Sequence, residues 1–183
     1  MNGFLFILWY FLPAGLANTA PIFASHLPYL KKFDYPLDGF KKYRGKRILG
    51  DHKTIRGIIS GVIVGIVVAW IEIWMYRDLA VVKGFVPLDY GQMNPFWLGF
   101  LAGMGALSGD AVKSFFKRQW AIPSGKSWFP FDQIDYIVGG CLLMALYVPL
   151  SFIQYILLFV VWFLLHPIAT VIGYWLKLKK EPL

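Results

Sequence analysis

Cysteine is nearly missing from this 183-residue chain, which carries Cys141 alone. A single cysteine rules out an intramolecular disulfide and a cysteine-built zinc site, and its place in an apolar run suits a small core residue. Charge is scarce as well: 15% of residues are charged against 58% apolar, far from the balance of a soluble domain. Carboxylates are fewer still, ten against eighteen Lys and Arg. No Gly-x4-Gly-Lys-[Ser/Thr] phosphate loop occurs, and neither a Ser/His/Asp grouping nor a cysteine nucleophile is suggested. Internal repeats of the kind common in transporters are not visible. No basic segment precedes the first apolar run, so a cleavable signal peptide is not expected.

What the chain has is apolar length. Runs of about 20 residues recur, enough for a helix to cross roughly 30 Å of hydrocarbon. They predict an all-α integral membrane protein, one domain over residues 1–183, with about five spans at 3–25, 57–76, 95–112, 135–152 and 153–176. The junction at Pro149 to Gln154 leaves room only for a tight turn. Lys and Arg gather in alternate connections: nine in residues 26–56, four in 113–133 and three after Leu176. By the positive-inside rule these face the cytoplasm, with the N-terminus outside, which places the chain as a multi-pass cell-membrane protein.

Small residues mark the packing faces. Gly57, Gly61, Gly65 and Ala69 recur every four residues in the second span, and Ala102, Ala106 and Asp110 do so in the third. Such stripes let helices approach closely, so Asp110 faces protein rather than lipid, with Lys113 and Lys117 continuing its line. In the first span Pro13, Gly15, Asn18 and Pro21 predict an interrupted helix, and Asn18 either packs with a polar partner or lines a cavity. Glu72 is expected near the outer interface, hydrated. His166 is read as a satisfied structural histidine.

Carboxylates at a bilayer edge are costly unless paired, hydrated or metal-bound. Asp110, Asp132 and Asp135 flank a short basic segment containing Lys113, Lys117 and Arg118, as a divalent cation meeting phosphate would require. Taken alone, the pair reads more readily as a helix start, with Asp132 an N-cap and Asp135 at the third helical position, than as a metal site. The first basic loop ends in Arg47, Lys53, Thr54 and Arg56, interleaved with glycines before a helix start, a pattern suited to anions. It is also compatible with simple headgroup attraction or topology control. Lys31, Lys32, Lys41 and Lys42 are read as surface charges.

Asp110-x2-Lys113-Ser114-x2-Lys117-Arg118, followed by Asp132-x2-Asp135, resembles the signature of the phosphatidate cytidylyltransferase (CDP-diacylglycerol synthase) superfamily. Gly45-Lys46-Arg47, the Gly50 to Gly57 block and Pro13-Ala14-x2-Ala17-Asn18-x2-Pro21 resemble its archaeal branch, the CDP-archaeol synthases. The match covers the first four spans. The additional N-terminal helices of the bacterial and eukaryotic enzymes have no counterpart in it.

The resemblance implies cytidylyl transfer from CTP to 2,3-bis-O-(geranylgeranyl)-sn-glycerol 1-phosphate, giving unsaturated CDP-archaeol and pyrophosphate with Mg2+. Asp110, Asp132 and Asp135 would hold magnesium. Lys113, Lys117, Arg118, Arg47, Lys53, Thr54, Arg56 and Asn18 would contact CTP or the isoprenoid ether-lipid phosphate. Nucleic acid is not an expected partner. Two other readings fit the composition: a CTP-dependent polyprenol-type lipid kinase, and a non-enzymatic ion or phosphate transporter.

Overall fold

The computed structural model describes residues 2–123 and 126–175, and the lysines of the C-terminal tail lie outside them. Helices dominate: α1 (Asn2–His26), α2 (Ile55–Asp78), the single turn α3 (Ala80–Lys83), α4 (Pro95–Gln119), α5 (Phe131–Met144) and α6 (Phe152–Trp175). A two-stranded antiparallel hairpin, β1 (Lys42–Tyr43) and β2 (Lys46–Arg47), interrupts the first connection.

Local chemistry sets the helix starts. Thr54 caps α2, its hydroxyl accepting from Gly57 N–H at 3.1 Å. Asn94 caps α4 through Phe96 N–H and Trp97 N–H, with Pro95 at the first position, where a missing donor costs nothing. Helix α1 runs unbroken through Pro13 and Pro21, contrary to the expected interruption. Pro21 has no N–H to give the Ala17 carbonyl. That carbonyl instead abuts Gly61 of α2, where a Cβ would lie 2.8 Å from it.

Among the described residues three helices are long and apolar enough to cross a membrane: Gly3–His26, Ile55–Asp78 and Phe152–Trp175. Helix α4 is as long, but its last third carries Asp110, Lys113, Lys117 and Arg118. The fourth predicted span is displaced. Helix α5 has 14 residues, about 21 Å at 1.5 Å per residue, and it ends at Met144 in turns before Pro149 rather than running on to residue 152.

Helix α4 lies at the centre, packed against α1, α2 and α5, while α6 packs on α1 and α5. Glycine permits this closeness. Side chains added at Gly99 and Gly103 would strike the backbone of α2 at Ile66 and Val62, and at Gly105 and Gly109 the backbone of α5 at Gly139 and Asp135. The apolar core, with Phe6, Tyr10, Phe11, Leu98, Ile137, Met144 and Leu158, fills one half of the bundle. Tyr10 donates to Val148 O at 2.7 Å and Tyr136 to Trp162 O at 3.1 Å, tying α1 and α6 into it. Glu72 belongs to this interior and not to a hydrated edge: it is 2% exposed, and neither carboxylate oxygen has a hydrogen-bond partner among the described residues. The ends of α1 and α4 and the starts of α2 and α5 gather at the opposite end, where the charged residues meet.

Candidate active site

Close helix approach builds the charged cluster. Gly109 of α4 sits against the Asp135 carbonyl, so Asp135 on α5 stands beside Asp110, the residue that follows Gly109. Lys113, one turn further along α4, lies between the carboxylates. Its Nζ is 2.6 Å from Asp132 Oδ1, 2.9 Å from Asp135 Oδ2 and 3.2 Å from Asp110 Oδ1. Lys53, from the loop before α2, pairs with Asp110 Oδ2. Lys117 approaches Asp132 Oδ2 at 3.1 Å. Three carboxylates and three ammonium groups thus form one continuous network.

The network is sheltered. The Asp135 side chain is 4% exposed, Lys113 13%, and Asp110 and Asp132 18% each. Ion pairs at such depth are hard to break singly, because the partner left behind is an uncompensated charge. Asp132 is not the N-cap of α5. Pro130 holds that position without a side-chain bond, and Asp132 accepts from the upstream Trp128 N–H at 2.5 Å. The carboxylate therefore fastens the loop to α5 and receives two lysines, leaving the capping reading without support.

One oxygen from each of Asp110, Asp132 and Asp135 lies within 3.2 Å of a single cationic nitrogen, so the donor set converges on one cation-sized point. Asp135 Oδ2 is buried and, although within ion-pair distance of Lys113, is off the direction of a hydrogen bond. Hard oxygen donors of this kind fit magnesium. As the side chains stand, no group of three such ligands among the described residues closes into a metal cage. Lys113 occupies the focus, and a divalent ion held there would require it to withdraw.

The other predicted residues lie around this centre in different roles. Arg47 binds Asp38 through Nη2 at 2.8 Å and Asp51 through Nη1 at 2.6 Å. Arg56 binds Asp34 at 2.9 Å and the Leu30 carbonyl at 3.1 Å, and its Nε is buried without a partner. The Thr54 hydroxyl is committed to its cap. Arg118 reaches the Pro123 carbonyl at 3.2 Å and keeps a buried Nε with no partner among the described residues. Asn18 is half-buried, one turn along α1 from Ala14, which faces Gly140 of α5.

Asp38 was not singled out in the sequence. Its carboxylate accepts from Phe40, Leu49 and Gly50 N–H and from Arg47, organising the whole first loop. Burial works against ionisation of Asp38. The Arg47 guanidinium and the three backbone donors outweigh it and hold the carboxyl well below the usual carboxylate range. The Asp38-Gly39 pair, a turn signal, was the available cue.

The whole chain, residues 1–183, matches the family model described as CarS-like, CDP-archaeol synthase. It is 40% identical to the CDP-archaeol synthase of Methanospirillum hungatei over 93% of this chain and 99% of that one. The Methanopyrus kandleri protein of the same name is 38% identical over 96% and 91%. A solved intramembrane enzyme for archaeal membrane lipids biosynthesis superposes with a TM-score of 0.70 at 25% identity, covering 90% of this chain and 92% of that one.

Proposed function

The chain belongs to the CDP-archaeol synthase family, and from that premise we propose that it transfers the cytidylyl group of CTP to an isoprenoid ether-lipid phosphate. The substrate is 2,3-bis-O-(geranylgeranyl)-sn-glycerol 1-phosphate and the products are unsaturated CDP-archaeol and pyrophosphate. The observation that carries the reading is the convergence of Asp110, Asp132 and Asp135 on one point, ringed by Lys53, Lys113 and Lys117.

A phosphate-monoester oxygen of the lipid attacks the α-phosphorus of CTP, and the bond from that phosphorus to the departing pyrophosphate breaks. The nucleophile is largely dianionic at neutral pH, its second pKa being about 6, so no general base is required. Magnesium, held by Asp110, Asp132 and Asp135, would neutralise triphosphate oxygens and steady the charge that develops between attacking and leaving groups. Lys113, displaced from the carboxylates, turns to phosphate oxygens, and Lys53 and Lys117 follow as their partners are engaged. The unclaimed Nε–H groups of Arg56 and Arg118 are donors for the phosphates that remain. Arg47 holds the loop that carries Lys53 in place rather than the nucleotide itself.

In a membrane the five longer helices cross, α5 as a short span, and the basic loops face the cytoplasm, where CTP is available. The lipid phosphate enters from the adjoining leaflet. Feeding CTP labelled at the α-phosphate together with the ether-lipid phosphate tests the reading: label passes into the lipid product and unlabelled pyrophosphate is released. A lipid that gains phosphate without this label identifies a kinase instead. Solute flux in proteoliposomes without CTP identifies a transporter.

A further inference from the structure

Glu72 stands apart from the charged cluster. It lies well along α2, about 25 Å on the helix axis from Ile55, whereas the cluster gathers at the Ile55 end, where Lys53 meets Asp110. A carboxyl so far inside an apolar bundle is costly unless something pairs or hydrates it. The connection between α2 and α4 covers this remote end, and its Val82, Val86 and Tyr90 are buried in the apolar core.

Tyr90 is held in place from two sides. It opens a 3-10 turn, Tyr90–Gln92, in which the Asp89 carboxylate accepts from Gly91 N–H at 3.0 Å. Arg77 of α2 donates to the Gly91 carbonyl at 2.8 Å. The Tyr90 ring packs on Tyr76 with centroids 5.9 Å apart. Tyr76 follows Glu72 by one helical turn, a spacing that leaves about 5–6 Å between Cβ atoms. The ring is thereby brought down beside the carboxyl.

Two orphaned groups result. Both Glu72 oxygens and the Tyr90 hydroxyl are buried with no hydrogen-bond partner among the described residues, and neither residue is more than 2% exposed. The Tyr90 hydroxyl nevertheless interacts electrostatically with Glu72 and with Tyr10 of α1. Tyr10 gives its own proton to the Val148 carbonyl at 2.7 Å, which leaves its oxygen free to accept. Three polar groups from three segments thus feel one another without bonding directly, the arrangement in which a small bridging molecule sits.

Their chemistry selects the bridge. An apolar filler would leave every one of these atoms desolvated. A bound hard cation takes about six oxygens or more, and these side chains offer four. Water matches the set: it donates to a Glu72 oxygen and to the Tyr10 oxygen and accepts from Tyr90 O–H. Those are roughly the three bonds usual for an enclosed water.

We propose that Glu72, Tyr90 and Tyr10 enclose one bound water, which links α2, the α2–α4 connection and α1 at the end of the bundle remote from the carboxylate cluster. The site makes Glu72 and Tyr90 an energetic pair although no direct bond joins them. It goes beyond the cytidylyl-transfer reading and does not depend on it.

A crystal structure of the full chain, grown in a lipid mesophase and soaked in rubidium chloride, tests the site directly. One peak should lie within hydrogen-bond distance of Glu72, Tyr90 and Tyr10 and carry no anomalous signal. A rubidium signal there makes it a cation site and overturns the proposal, as does a direct Glu72–Tyr90 hydrogen bond or a difference map without a peak. Thermal unfolding in neutral detergent micelles tests the pairing. Tyr90→Phe should lower the transition by a few degrees in the wild-type background. In the Glu72→Leu background the water has lost its main acceptor and the hydroxyl stands alone, so the same change should cost nothing or raise the transition. An equal loss from Tyr90→Phe in both backgrounds overturns the proposal.

Discussion

Adding one methyl group at Gly109 should disable the carboxylate cluster without touching a charged residue. A Cβ there would collide with the Asp135 carbonyl oxygen and come within 2.9 Å of the Asp135 carbonyl carbon and 3.2 Å of Gly139 Cα. Comfortable carbon–carbon contacts lie at about 3.5–4.0 Å, so α5 must retreat from α4 by roughly 0.6–1 Å. Backbone cannot swing aside as a flexible side chain would. Overpacking of this kind costs about 1–3 kcal/mol, and a displacement near 1 Å at a reacting centre costs about 10²-fold in rate. Gly109→Ala should therefore lower turnover of the ether-lipid phosphate with CTP by that factor and lower the thermal transition in detergent by several degrees. Gly3→Ala is the matched control: its nearest neighbour is Leu157 Cδ2 at 3.9 Å, and both measurements should stay near wild type. If Gly109→Ala turns over normally, the α4–α5 contact does not set the spacing of Asp110 and Asp135, and the reasoning is refuted.

Asp110→Asn, Asp132→Asn and Asp135→Asn should each lower turnover at least 10²-fold while the purified protein keeps its helical circular dichroism; near-normal rates in two of the three remove them from the reaction. Lys113→Ala should impair CTP use far more than Lys41→Ala, read as kcat/KM, and equal effects would reduce Lys113 to generic charge. Asp38→Asn should loosen the first loop by about 1–3 kcal/mol, seen as faster proteolysis between residues 34 and 54. The depressed Asp38 pKa gives stability that is present above about pH 4, the unfolded value, and lost as pH falls through the lower folded value. Acid below that pH should release the loop in wild type, and the variant should lack this dependence. Glu72→Leu should leave thermal stability unchanged or raise it, because the carboxyl it replaces is buried with neither oxygen partnered; a large loss would reveal a partner for Glu72.

Helical spacing was enough to align Asp110 with Lys113 and Lys117, and the short second loop was enough to bring Asp132 and Asp135 back towards them. The Gly61 and Gly65 stripe likewise announced the face of α2 that meets α4. Roles that depend on a partner far away in sequence were not legible. Nothing in the local pattern around Arg47 and Arg56 showed that Asp38 and Asp34 pair with them. Asp132 matched a cap because capping is judged from local spacing, whereas its real donors are Trp128 N–H and two lysines of another helix. Hydrophobicity ran straight through Met144 to Phe152 and hid the end of α5. Glu72 failed in the same way: a four-residue rhythm placed it on the packed face, while position along the span suggested water.

The lysine at the focus of the carboxylates has a consequence for how the protein comes into being. Three negative groups near a bilayer edge would ordinarily wait on a bound ion before the helices around them could close. Here Lys53, Lys113 and Lys117 supply the opposing charge from within the chain, so the bundle can insert and pack as an electrically complete unit. On the proposed reading, loading would be an exchange, in which an incoming ion and triphosphate would displace ammonium groups already in contact. Affinity would then be the difference between two sets of ion pairs, and release of product would let the lysines return to their places.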